Sequence, residues 1–105
     1  MSVDVPRFCI YTVNVPARLQ FEWDEANEGH IARQGVTPEE AEQVIANDPL
    51  VIGSNLHKGE LRTVCLGRTS ADRPLAVVYT IRSHRIRVVT AYPMKRRRRR
   101  IYESR

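Results

Sequence analysis

Residues 60–92 read "ELRTVCLGRTSADRPLAVVYTIRSHRIRVVTAY", a stretch whose apolar side chains recur with a period near two. Three runs rich in Val, Ile, Thr and Tyr, near 60–67, 74–81 and 85–91, are separated by "RTSADRP" and "RSHR", which have the composition of turns. Joins this short connect antiparallel neighbours, so the three runs predict a meander. In "RIRVVTA", Ile86 and Val88 alternate with Arg85, Arg87 and Val89, which makes one face of that strand apolar and gives the other its cations. A negatively charged ligand would meet the sheet there.

Upstream, the period lengthens. Phe21 and Trp23 flank Glu22 as in a half-buried strand, and Asp24 is a good N-cap for a helix running to about Arg33, with Gly35 just past its end. "TPEEAEQVIAN" (37–47) sets Thr37 at an N-cap, Pro38 at the first helical position and Glu40 three residues after the cap. That is a capping box, with acidic residues at the positive end of the helix dipole. Ala41, Val44 and Ile45 recur at helical spacing and should face the core. "DPLVIGSNLHKGE" (48–60) predicts turns around a brief apolar strand. In residues 1–18, prolines among strand-formers predict one short edge strand near 8–13 or an irregular arm, leaving 19–105 as a single domain.

The segment "MKRRRRRIYESR" (94–105) places Met94, Ile101 and Tyr102 at i, i+7 and i+8, one helical face, and so predicts a docked basic helix. Lys95 opposes Arg99 and Arg96 opposes Arg100 at i,i+4, each like-charged pair costing about 0.2–0.5 kcal/mol. Packing of the apolar residues must hold such a helix, helped by acidic neighbours or bound phosphate. The fold class is therefore α+β: two N-terminal helices, an antiparallel meander and a C-terminal basic helix, with the helices on one side of the sheet.

At 105 residues, 42% hydrophobic and 28% charged, the composition is that of one ordinary globular domain, neither disordered nor membrane-embedded. The longest apolar run, "LAVVYTI" (75–81), falls far short of the roughly 20 residues of a membrane span. The N-terminus lacks the pattern of a signal peptide, so a cytoplasmic location is expected. Cys9 and Cys65 lie far apart and outside any Cys/His spacing; Cys65 reads as a small buried hydrophobe, and neither metal nor cofactor is expected. Net charge is +5, yet the last twelve residues hold seven basic side chains and one acidic, leaving the remainder at −1. Residues 20–48 carry eight carboxylates against Arg33 alone, while 58–92 carry Lys58 and six arginines against Glu60 and Asp72. Two oppositely charged surfaces follow, the positive one suited to phosphate backbones.

The runs "FEWDEANEGHIARQGVTPEEAEQVI", "GELRTVCLGRT" and "PLAVVYTIRSHRIRVVTAYPMKRRRRRIYE" together resemble the BrnT-type toxins, small ribonucleases of bacterial type II toxin–antitoxin modules with a RelE-like fold. The likeness covers about residues 20–103. Three positions depart from the family's usual pattern: Gln34 stands where histidine is usual, Tyr92 where arginine is, and Arg98 where glutamate is. The resemblance implies metal-independent RNA cleavage by the substrate's own 2′-hydroxyl. It also implies a cognate BrnA-like antitoxin with a ribbon-helix-helix DNA-binding domain, through which the complex would bind operator DNA.

Such cleavage needs a proton acceptor, cations for the dianionic phosphorane and an acid for the departing 5′-oxygen. Glu60 and Arg62 are two apart on one predicted strand and share a face, which Arg87 could join from a later strand. Glu60 is the candidate base, Arg62 and Arg87 the phosphate ligands, and Tyr92 or Tyr102 the proton donor or base-stacking ring. The plain alternative for Glu60 and Arg62 is an exposed ion pair worth under about 1 kcal/mol. His30 and Arg33 at i+3, Arg85, Lys95, Arg96, Arg97, Arg99 and Arg100 are candidate RNA contacts. His57 and His84 read as turn residues, Trp23 as a core anchor, and the acidic helix after Thr37 as a solvated face or a dock for a basic partner. A second functional class stays open: a nucleic-acid- or antitoxin-binding module from which the three departures have removed catalysis.

Overall fold

The structure, a computed structural model, describes residues 19–105; the arm or edge strand expected in 1–18 lies outside them. Helix α1 (Glu25–Ala32) is capped by Asp24 as predicted, but the partner in its capping box is Asn27. The Asp24 carboxylate accepts from the Asn27 amide at 3.1 Å, and Asn27 Oδ1 accepts from the Asp24 amide at 2.8 Å. Helix α2 (Pro38–Ala46) closes with the Thr37–Glu40 box, the Thr37 hydroxyl accepting from Glu40 N at 3.2 Å and the Glu40 carboxylate from Thr37 N at 3.0 Å. Between the helices Gly35 takes φ +78°, a left-handed conformation that costs glycine little.

The strands are β1 (Phe21–Glu22), β2 (Leu50–His57), β3 (Glu60–Arg68), β4 (Pro74–Arg82) and β5 (Arg85–Pro93), followed by α3 (Arg96–Glu103). They form one sheet in the order β1-β5-β4-β3-β2. Strands β2 to β5 make an antiparallel meander, and β1 pairs in parallel with β5. The two-residue loops Lys58-Gly59 and Ser83-His84 hold positive φ at both positions, the turn geometry that matches strand twist. β2 is longer than the brief strand expected. It pairs along β3 with one irregularity between Val51 and Gly53, and because it is an exposed edge its sequence lacks the sustained apolar pattern that announces a buried strand.

Alternation along the strands divides the core in two. Cys65, Leu75, Val77, Val88 and Ala91 pack with Ile31, Val36, Ala41 and Val44 from the α1–α2 region. Leu66 and Ala76, of opposite parity, pack with Met94 and Tyr102 beside α3. Helix α3 therefore lies across the sheet from α1 and α2, which corrects the one-sided arrangement expected. The cause is parity: Met94 continues the side of Tyr92, and the short join carries the chain onto that face. Gly67 lets α2 approach β3 closely, since a Cβ there would lie 3.0 Å from Val44 Cγ1.

The apolar face expected of α3 is also corrected. Met94 and Tyr102 are 7% exposed but Ile101 is 45% exposed. Met94 precedes the helix, so a phase counted from it does not carry into the turns that hold Ile101. Cys65 is fully buried, and burial pushes its thiol up to about 12. Trp23 packs against the core as an anchor and donates its indole N–H to Glu42 at 2.8 Å. The acidic side of α2 is thus less free than a solvated face: besides Glu42, Glu40 accepts from Arg73 at 3.0 Å. Among the described residues no helix is long and apolar enough to cross a membrane.

Candidate functional site

On the sheet face that carries α3, side chains from neighbouring strands stand in rows. Thr80 pairs with Arg87 and Arg82 with Arg85 across β4 and β5. The β3–β4 register, Thr63 opposite Tyr79, continues to set Arg62 beside Thr80 and Glu60 beside Arg82. One row is then Asn55, Arg62, Thr80, Arg87 and Glu22, and the next is His57, Glu60, Arg82 and Arg85. Tyr92 sits in a row with Ala76 and Leu66 nearer α3. Four residues of β4 separate it from the Thr80 row, about 13 Å.

The two arginine rows open on a cavity of about 480 Å³ lined by Glu60, Arg62, Arg82, Arg87 and Thr90 and, from the edge of α1, by His30. Its charges are paired. Glu60 accepts from Arg62 Nε at 3.2 Å and from Arg82 at 3.0 and 3.1 Å. The Arg82 bond chiefly holds the Glu60 carboxyl below its ordinary range, against the upward effect of burial, with Arg62 adding a lesser downward pull. Arg87, 15% exposed, donates to both oxygens of Asp24 at 2.9 and 3.3 Å and lies 3.6 Å from Glu22. Asp24 is lowered chiefly by that Arg87 bond and then by the Asn27 amide, and Arg87 is raised chiefly by Asp24. Asn27, 4% exposed, donates to Glu22 O at 3.0 Å and Val88 O at 3.1 Å. It fastens α1 to the strand edge and so fixes Asp24 against Arg87. The result is a cavity whose guanidiniums are oriented by carboxylates on rigid strands, with little uncompensated charge.

The other end of the face is different. A cavity of about 730 Å³ is lined by Gln34, Tyr92, Met94, Lys95, Arg97 and Arg98. It has three cationic side chains and no carboxylate in its lining. The Tyr92 hydroxyl accepts from Arg98 Nη1, and the guanidinium carbon stands 5.9 Å from the ring centroid, at the limit of a cation–π contact because it engages the ring's edge. Lys95 caps α3 without a side-chain hydrogen bond, and no acid lies in the first turn. Arg99 and Arg68 reach Glu103 at 3.8 and 3.6 Å. Among the described residues Lys95, Arg96, Arg97 and Arg100 have no carboxylate partner.

The structure thus brings Glu60, Arg62, Arg87 and His30 around one cavity, with Arg85 in the adjoining row, and sets Tyr92, Lys95 and Arg97 around another. Tyr102 joins neither. It lies in the apolar cluster under α3, its ring covered by Arg105 and Arg68 at 4.2 and 5.7 Å. Arg33, Arg96, Arg99 and Arg100 are exposed and line neither cavity. Sequence reasoning missed Arg82, whose place opposite Glu60 follows once the meander's register is counted, and Asn27, which nothing in its neighbourhood announces. Among the described residues no three His, Cys, Asp or Glu side chains gather as metal ligands would.

Comparison with curated proteins finds no significant match. A family model described as "Ribonuclease toxin, BrnT, of type II toxin-antitoxin system" matches residues 23–98, well over half of the chain and all of the residues that line the two cavities.

Proposed function

Since the chain belongs to the BrnT family of ribonuclease toxins, we propose that it is a metal-independent endoribonuclease whose reaction takes place at the cavity of Arg62, Arg82 and Arg87. The observation that carries this is the cavity itself: guanidiniums from β3, β4 and β5, each held by a carboxylate, beside Glu60 and His30. Preorganised donors of this kind stabilise charge that develops in the transition state at no cost of reorganisation. The substrate's 2′-oxygen attacks phosphorus, Glu60 takes the 2′-hydroxyl proton, and the phosphorane's oxygens accept from Arg62, Arg82 and Arg87. His30 gives a proton to the 5′-oxygen as the P–O5′ bond breaks. Arg82 chiefly, and Arg62 with it, lower Glu60 and so favour the ionised carboxylate that accepts a proton. The cations of Lys95, Arg96, Arg97 and Arg100, without carboxylate partners among the described residues, draw the RNA onto the face, a role that needs charge rather than fixed geometry.

In the cell, we expect this activity to be neutralised in the cytoplasm by a BrnA-like antitoxin with a ribbon-helix-helix domain, the pair repressing its own operator. Family membership supports an antitoxin and an RNA substrate; co-expression of the neighbouring gene, restoring growth arrested by this chain, tests the pairing. The chemistry is tested by RNA cleavage in chelator with the wild type, Glu60→Gln and His30→Gln. Turnover at saturating RNA should fall by about 10²-fold or more in each, with affinity within a few-fold of wild type. Equal cleavage by all three would remove the proposed site. Binding without cleavage by the wild type would identify a nucleic-acid-binding module instead.

A further inference from the structure

We infer that the cavity of Gln34, Tyr92, Lys95, Arg97 and Arg98 is a nucleobase-binding subsite for single-stranded RNA. This extends the reading of the chain as a protein that acts on RNA, but it concerns recognition and not cleavage. The cavity's volume, about 730 Å³, is within the range of small-molecule sites. Its lining joins three different capacities. Lys95 and Arg97, exposed and without carboxylate partners among the described residues, offer charge to a phosphate. Tyr92, half-buried, backs onto the cluster of Leu66, Ala76 and Met94, and Arg98 holds its hydroxyl. The ring is therefore fixed at both its face and its edge, which is what a stacking platform requires.

Gln34 supplies the third capacity. It stands on the turn after α1, exposed, with its backbone N–H on Ile31 O at 2.9 Å. Its carboxamide makes no hydrogen bond to another described residue. A carboxamide presents one donor and one acceptor side by side on separate atoms, the complement of the adjacent polar atoms that an unpaired base shows on its open edge. No other side chain of the lining is a carboxamide. The Tyr92 row is about 13 Å from the nearer arginine row, so the base bound here belongs to a nucleotide further along the strand than the one cleaved. Cut sites would then have an unpaired base at a fixed offset.

The test is binding of fluorescent 2′-O-methyl oligomers, oligo-A and an abasic strand of the same length, to the full chain by anisotropy. These probes lack the attacking hydroxyl, so the result is independent of cleavage and survives a failure of the catalytic reading. Wild type should prefer oligo-A over the abasic strand by about 5-fold or more. Gln34→Ala should reduce that preference and leave the affinity of the abasic strand unchanged. Tyr92→Ala should abolish the preference, and Tyr92→Phe, which keeps the ring, should restore most of it. Equal affinity for the two strands in the wild type, or a preference undiminished in both Gln34→Ala and Tyr92→Ala, would overturn the inference. Because Gln34 is exposed, its variant folds irrespective of any effect of Tyr92→Ala on packing.

Discussion

The two ends of one sheet face hold their cations in opposite ways. At the strand end each arginine of the cavity has a carboxylate: Arg62 and Arg82 share Glu60, and Arg87 has Asp24 and Glu22. At the helix end Lys95, Arg96, Arg97 and Arg100 have none among the described residues, and like charges face each other at i,i+4. Pairing fixes direction and cancels long-range attraction; leaving cations unpaired does the reverse. On the function proposed above, the strands would supply geometry, and hence chemistry, and α3 would capture the polyanion. Neither end would serve alone, since a balanced cavity attracts RNA weakly and exposed arginines that no carboxylate orients cannot hold a phosphorane in one orientation.

The sharpest way to break this division is Arg62→Ala. Single-turnover cleavage at saturating protein should fall by about 10²–10³-fold, while the slope of log K against log salt stays near that of the wild type. An equal loss in affinity would merge the two roles. The reverse dissociation is expected of Arg96→Gln/Arg100→Gln: saturated cleavage persists, and the salt slope shrinks by about 0.7 for each phosphate contact removed. In the same double variant the melting temperature should hold or rise slightly, because one repulsive pair of about 0.2–0.5 kcal/mol is relieved. A marked fall in melting temperature would show that these arginines stabilise the helix through contacts within the protein.

Acid provides the mildest probe. Glu60, Asp24 and Glu40 are all lowered, Glu60 chiefly by Arg82, Asp24 chiefly by Arg87, and Glu40 chiefly by the Thr37 backbone amide. A carboxylate whose folded value lies below its unfolded one adds stability above the unfolded value and loses it as pH falls through the folded one. Thermal melts should therefore be flat from neutral pH to about 5 and decline below about 4. The decline should be smaller in Glu40→Gln. Stability that increases on acidification would contradict the pairing described.

Much of the fold is written in local chemistry, and the site much less. Thr37, Pro38 and Glu40 announce α2 because a cap is satisfied by neighbours three residues away. The three long strands are announced by alternation, and the common face of Glu60, Arg62 and Arg87 by parity. What depends on distant partners was hidden. The pairing of Glu60 with Arg82 follows from strand register, the position of α3 across the sheet from a two-residue join, and the burial of Asn27 from carbonyls of β1 and β5. Arg98 and Gln34 stood out only as departures from the family's pattern; that they line a cavity with Tyr92 is a fact of folding.

The central claim, that RNA lies along this one face from the arginine rows to α3, is tested most directly by amide NMR of the full chain titrated with a 2′-O-methyl oligoribonucleotide. Shifts should concentrate at Arg62, Thr80, Arg87, Thr90, Tyr92 and Lys95 and spare α2. Perturbation centred on α2 and the opposite side of the sheet would contradict the account.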